Sequence, residues 1–265
     1  MNTKFKAMSF SSPRDNVALA GLDDLHGAWQ RRHVAAYFAL TDTFARYRRS
    51  TIGPMWIVLG TAVGVVGLGL VWSVLLGIPK AHFIPMLTVG LIGWQFISGT
   101  ILEASSVFAR NASTITNLYV PRFSFTIELV LRQLITLGHN LLVILLVWIV
   151  FPENWSWVML LALPGLLIVS ASLLAVAQIV GFVGARYRDV ELFFVAIMPI
   201  LFFLTPILYE TRQLGHLESI MLFNPLAHWI LLLRDPMMGQ VPSLLNYYVA
   251  LSTCVVLWVT ALVTT

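Results

Sequence analysis

Arg46-Tyr47-Arg48-Arg49-Ser50-Thr51-Ile52-Gly53-Pro54-Met55-Trp56 decides how the rest of this chain is read. Before it lies a polar, basic segment; after it, apolar residues run almost unbroken to Gly77. A run of that length can cross a bilayer whose hydrocarbon core is about 30 Å thick. Arginines at its foot hold that end on the cytoplasmic side, because cytoplasmic flanks carry the Lys/Arg excess. Pro54 suits a first helical turn, where its missing N–H has no partner to lose. Trp56 falls at headgroup depth, where an amphipathic ring is favoured. The stretch therefore orients the first span, and each later span follows by alternation.

Composition agrees. Hydrophobic residues make up 58% of the chain and charged residues 11%, against roughly 25% charged in soluble domains; mean hydropathy is +0.85. The chain reads as an all-α, multi-pass membrane protein. The net charge of +4 is small and unevenly placed, so it reports orientation rather than nucleic-acid binding. Cys254 is the single cysteine, which excludes an internal disulfide and a Cys-based metal cluster. Residues 1–20 hold no apolar core of a cleavable signal, so the first span is expected to direct insertion.

Upstream of the opening stretch, residues 1–23 read as a loose cytoplasmic tail. Residues 24–50 show a helical period: Leu25, Trp29, Ala36, Leu40, Phe44 and Tyr47 share a face, with Arg31, Arg32, Asp42, Arg46 and Arg49 largely elsewhere. Such a helix lies in the membrane interface, or packs on a cytoplasmic partner, or both. Its candidate interface residues are Trp29, Tyr37, Phe44, Arg46, Arg48 and Arg49.

Downstream, residues 51–265 form a transmembrane domain with spans expected at about 54–77, 84–102, 125–151, 158–184, 190–209 and 244–264. Gly60, Gly64 and Gly67 make a small-residue stripe suited to close packing of the first span. The loop 103–124 is too polar to span. It carries apolar anchors at Phe108, Ile115, Leu118 and Tyr119, a cap at Asn111 or Ser113, and a stop at Pro121. Glu128 and Arg132 stand four apart, an ion pair that is structural or part of a gate. The fourth span is rich in small residues in its second half and is expected to pack centrally. The fifth holds Pro199 and Pro206 and an aromatic face of Phe193, Phe194, Phe202 and Phe203, with Phe194 and Phe202 two turns apart. Asn224-Pro225 then starts a helix, cap before proline. The apolar run 226–233 is too short to span and reads as re-entrant or interfacial, with a shorter partner around 216–222. By this topology 13 Lys/Arg fall on the cytoplasmic side and 3 outside, which places both termini in the cytoplasm. Thr265 is followed by no basic anchor, so a short native tail is expected beyond it.

The chemistry is marked by absences. There is no phosphate-binding G-x-x-x-x-G-K-[ST], no G-x-S-x-G and no H-E-x-x-H. His26, His33, His82, His139, His216 and His228 are scattered, without metal-ligand spacing. No carboxylate falls in the middle of a span, where proton- or sodium-coupled carriers keep one. No catalytic or metal site is expected. The chain offers a path with no evident engine, which implies an energised partner.

The residues resemble a family: the membrane subunits of ABC-2 type exporters, in the polysaccharide group that includes O-antigen, capsule and teichoic-acid permeases. The matching pieces are the opening stretch 46–56, Asn111 through Val120-Pro121-Arg122, Arg186-Tyr187-Arg188-Asp189, and Asn224-Pro225-Leu226. The resemblance covers nearly all of the chain from about Asp24. It implies a half-transporter in the bacterial inner membrane, with two copies of this chain and two of a cytoplasmic ATPase. It implies that ATP and magnesium bind the ATPase, with no cofactor here. The segment between spans two and three would be a coupling helix, with Phe108, Asn111, Ile115, Leu118, Tyr119 and Arg122 as its candidates. The helices near the last span would be an outer gate, with Asn224, Pro225, His228 and Trp229. Lipid-linked polysaccharide would pass between the two membrane subunits, with membrane lipid around them and no nucleic acid. Sugar rings have apolar C–H faces that aromatic walls hold weakly, so Trp56, Phe193, Phe194, Phe202 and Phe203 are candidates for the lining; the same rings could equally face lipid. An ABC-2 permease for a drug or lipid would share the fold. A membrane-embedded transferase would need a clustered acid, base or metal site, and the sequence holds none.

Overall fold

The computed structural model describes residues 17–48, 50–118, 120–152, 155–211, 213, 215 and 221–265. In chain order it contains α1 (Val17–Gln30), α2 (Arg32–Tyr47), α3 (Met55–Leu75), α4 (Lys80–Ala104), short α5 (Val107–Arg110) and α6 (Ala112–Asn117), then α7 (Phe123–Val150). A 3-10 turn at Trp157–Leu161 leads into α8 (Ala162–Arg186), followed by α9 (Asp189–Leu204), α10 (Pro225–Met237) and α11 (Leu244–Thr264). No strand occurs among the described residues. Five of these helices, α3, α4, α7, α8 with its 3-10 turn, and α11, are long and apolar enough to cross a membrane.

The fifth expected span departs from its reading. α9 has 16 residues, about 24 Å at 1.5 Å per residue, and stops at Leu204 rather than Tyr209. Thr205 is extended, with φ −102° and ψ 139°, the conformation that a following proline imposes. Buried, non-helical backbone continues through 205–208 until Glu210 meets His82 at the start of α4, 2.6 Å away. Residues 189–210 therefore connect the two ends of the bundle, partly without a helix.

The N-terminal region also differs. Residues 17–23 are helical, so they are not loose, and residues 24–50 are not one helix. Arg31 leaves the helical conformation (φ −100°, ψ 17°) and separates α1 from α2. Tertiary contact supports helix in this segment: a Cβ on Gly21 would stand 2.3 Å from the Leu262 carbonyl oxygen of α11, so the two backbones touch there. Residues 1–16 lie outside the described residues.

α4 is the axis of the bundle, buried along most of its length. Phe83, Leu87 and Ile97 of α4 meet Val169 and Leu173 of α8 and Ile230 of α10 in the main core. The second half of α8 packs centrally, as expected. Its glycines approach backbone and rings: an added Cβ at Gly184 would overlap the Ser105 carbonyl, and one at Gly165 would stand 2.6 Å from that of Leu232. The stripe in α3 does not pack this way. Gly60 and Gly67 face open space and Gly64 only reaches a Leu91 methyl at 3.8 Å; α3 instead buries Val58, Thr61, Val65 and Gly69. Polar side chains join the spans where apolar packing is not directional. Thr61 of α3 and Asn140 of α7 both donate to Gln95 Oε1 of α4, at 3.2 and 3.0 Å.

Candidate functional site

One end of the bundle collects α1, α2, α5, α6 and the N-terminus of α7. The Asp24 carboxylate accepts the backbone N–H groups of Arg122 (3.0 Å) and Phe123 (2.9 Å), satisfying donors that α7 leaves open at its N-terminus. Arg122 donates to the Thr265 carbonyl at 2.9 Å and lies over the Phe182 ring, 5.4 Å from its centroid. Phe108 is not a surface anchor. It is 6% exposed, its ring 4.9 Å from that of Phe182, because Gly181 leaves room for it on α8. Ile115 is half-buried against the same cluster. These two residues fasten the hairpin to the spans. Its exposed surface includes Arg110, Ser113, Thr116, Asn117 and Leu118. Asn111 does not cap α6 with its side chain; its amide turns back to the Val107 carbonyl at 2.9 Å. Tyr119 lies outside the described residues.

Beside the hairpin, Arg132 joins three elements. Its guanidinium meets Asp42 of α2 at 3.6 Å, Glu128 of its own helix at 3.7 Å and Glu103 at the end of α4 more closely still. Arg110 donates to the Glu103 carbonyl at 2.8 Å. The pair read within one helix is thus part of a junction between the hairpin, α2, α4 and α7. Sequence spacing could show only the Glu128 contact.

The aromatic face of α2 points away from the bundle. Ala35, Ala39 and Thr43 are buried, whereas Tyr37 and Phe44 are exposed, as is Trp29 on α1. Arg32 sits over the Trp29 ring at 5.1 Å. Arg48 is exposed; Arg49 and the Arg46 side chain lie outside the described residues. Aromatic rings turned outward beside arginine suit a membrane interface.

The α9 rings divide by face. Phe194 and Phe202 are half-buried and turned toward the core, and Phe202 meets Trp94 edge-on at 5.8 Å. Phe193 and Phe203 are exposed, as is Trp56 on α3. An apolar groove of about 390 Å³ runs between α4 and α9, lined by Trp94, Ser98, Met198, Pro199, Phe202 and Phe203 among others. Trp94 was missed in the sequence because nothing local links it to α9.

At the other end, α10 is a buried core helix. Trp229 is 2% exposed, so it is a core anchor rather than a gate surface. Asn224 caps α10 by accepting the Leu226 N–H at 3.0 Å, with Pro225 at the first turn. Its amide also donates to the Leu204 carbonyl of α9 at 3.1 Å. His228 lies between Asn246 Oδ1 (2.8 Å) and the Leu222 carbonyl (3.2 Å). Arg234 carries a role that sequence reading missed: Nη1 donates to the carbonyls of Pro206 (2.6 Å) and Tyr209 (3.1 Å), and Nη2 meets Asp235 at 3.4 Å. Burial pushes the Asp235 carboxyl above its usual range, against the pull of Arg234. Most of the expected partner helix at 216–222 lies outside the described residues. No group of three His, Cys, Asp or Glu gathers for a metal among the described residues.

No family model matches the chain. Two proteins from Klebsiella pneumoniae, each named O-antigen export system permease protein RfbA, are 26% and 24% identical to it over 215 and 211 residues, covering 78% of this chain and 79% of each of them. A protein of the same name from Myxococcus xanthus is 24% identical over 186 residues, 69% of this chain and 72% of its own length. Over two thirds or more of its length the chain is thus similar, at 24–26% identity, to three proteins named as O-antigen export permeases.

Proposed function

We propose that this chain is the membrane subunit of an ABC exporter that moves a lipid-linked, O-antigen-like polysaccharide across the bacterial inner membrane. The observation that carries this reading is the similarity to O-antigen export permeases over more than three quarters of the chain. Two chains would pair, and two ATPase subunits would dock beneath them, supplying the ATP and magnesium site. The exposed side of the 107–118 hairpin is the proposed docking surface, with Leu118, Asn117 and Arg110 in contact. Phe108 and Ile115 would carry the ATPase's movement into α8 and α7, and the Arg132 junction into α2 and α4. Both termini are cytoplasmic in this proposal. The chain crosses six times, with the α9 crossing completed by residues 205–209. The groove beside α9 and its exposed rings form part of the polymer path, and α10 closes the outer end.

The test is genetic and biochemical. Cells lacking the chain should accumulate polymer inside and lose it from the surface. Reintroducing the chain together with an ATPase subunit should restore surface polymer. Normal surface polymer in the deletion strain would reject the reading.

A further inference from the structure

The end of the bundle that holds α10 contains a second cavity, of about 360 Å³, in the lower part of the range typical of small-molecule sites, roughly 300–1,000 Å³. It lies between the start of α4, the chain after α9, α10 and the start of α11. His82, Glu210, His228, Arg234, Asp235 and Asn246 line it. We propose that this outer cleft is a binding site for a single neutral sugar ring. The proposal rests on the polysaccharide-export reading and gives that reading a specific subsite.

The charged groups of the cleft are already engaged with one another or with backbone. Arg234 is engaged by two carbonyls and Asp235, so an arriving anion would compete for donors that hold the fold. The Glu210 carboxylate stands 2.6 Å from His82 Nε2 and Asp235 meets Arg234, so an arriving cation would compete with contacts already made. His228 and Asn246 hold each other. The remaining lining groups are neutral and hydrogen-bonding: Thr211, Gln240 and Ser243, the last already accepting the Leu245 N–H but keeping its own hydrogen to donate. Between them stand apolar side chains, Met86, Leu231, Met238 and Leu245. Neutral donors and acceptors interleaved with apolar surface match a ligand with hydroxyls on its edge and C–H groups on its face. Polar side chains already engaged with one another hold such a lining in place.

The full chain in lipid nanodiscs, without its ATPase, would be studied by saturation-transfer NMR. The probes are mannose, galactose, rhamnose and N-acetylglucosamine, with inorganic phosphate and phosphocholine as charged competitors. Gln240 is exposed on the turn after α10, so Gln240→Trp would obstruct the cleft with little cost to folding, and Gln240→Ala would leave it open. The expected result is saturation of ring protons in at least one sugar, reduced roughly tenfold by Gln240→Trp. Gln240→Ala, which removes one hydrogen-bonding group but leaves the cleft open, should weaken the signal less than Gln240→Trp does, neither competitor should displace the sugar, and the melting temperature should not change. No transfer to any sugar, equal transfer to Gln240→Trp, or displacement by either competitor would overturn the cleft assignment. Surface polymer measured in the same strains separates the two claims. Export without sugar binding rejects the cleft alone, whereas surface polymer that does not depend on the chain rejects the exporter reading.

Discussion

Arg234 holds the end of α9 where Pro206 has removed the helix's own hydrogen bonds. Its two contacts to the Pro206 and Tyr209 carbonyls satisfy buried backbone that would otherwise be unpaired. Arg234→Met should therefore cost about 3–5 kcal/mol, because it also leaves Asp235 buried without its cation. Arg234→Lys should recover only part of the loss, since an ammonium lacks the planar fork. Thermal unfolding in detergent would measure both variants. Residues of the hairpin separate by the same logic. Phe108→Ala removes a buried ring and should cost about 3–5 kcal/mol. Leu118→Glu changes an exposed side chain and should shift stability by no more than about 0.5 kcal/mol, yet abolish recovery of the ATPase with the chain. An unaltered yield of ATPase with Leu118→Glu would remove Leu118 from the docking surface. Asp24→Ala should cost about 1 kcal/mol through the lost cap on α7.

At the scale of elements, the five long helices were legible because long apolar runs have few alternatives in water or lipid. α10 was legible as a short helix from Asn224-Pro225 and the abrupt end of its apolar run. Its burial was not, because an interfacial helix and a core helix of that length read alike until neighbours are known. The glycines show the same limit. Gly60, Gly64 and Gly67 in α3 and Gly181 and Gly184 in α8 give similar local signals, but only the α8 pair has Phe108 and the Ser105 carbonyl against it. Among the candidate site residues, Phe194 and Phe202 share a face as their spacing required. The Arg132 junction and the Arg234 clamp were hidden, since Glu103, Asp42 and the Pro206 carbonyl are distant in sequence. Phe202→Ala tests the α9 element. A ring that only packs on Trp94 should lower the melting temperature and leave export intact. A ring on the polymer path should lower export more than stability.

For the whole molecule, orientation follows from the positive-inside rule applied to the ends of the bundle. With Cys254 replaced by alanine, a cysteine at Ser113 should react only with membrane-permeant reagents and one at Gln240 with impermeant reagents added outside. The reverse pattern would invert the topology. In the proposed function, this bundle moves polymer only when an ATPase is docked on the 107–118 hairpin. Reconstitution into vesicles with the ATPase, the lipid-linked polymer and ATP tests it most directly, read as polymer reaching the far side of the bilayer. The account predicts ATP-dependent movement that disappears when the ATPase is omitted and when Leu118→Glu replaces the native chain. Movement that persists without the ATPase, or none despite full ATP turnover in the assembled complex, would contradict it.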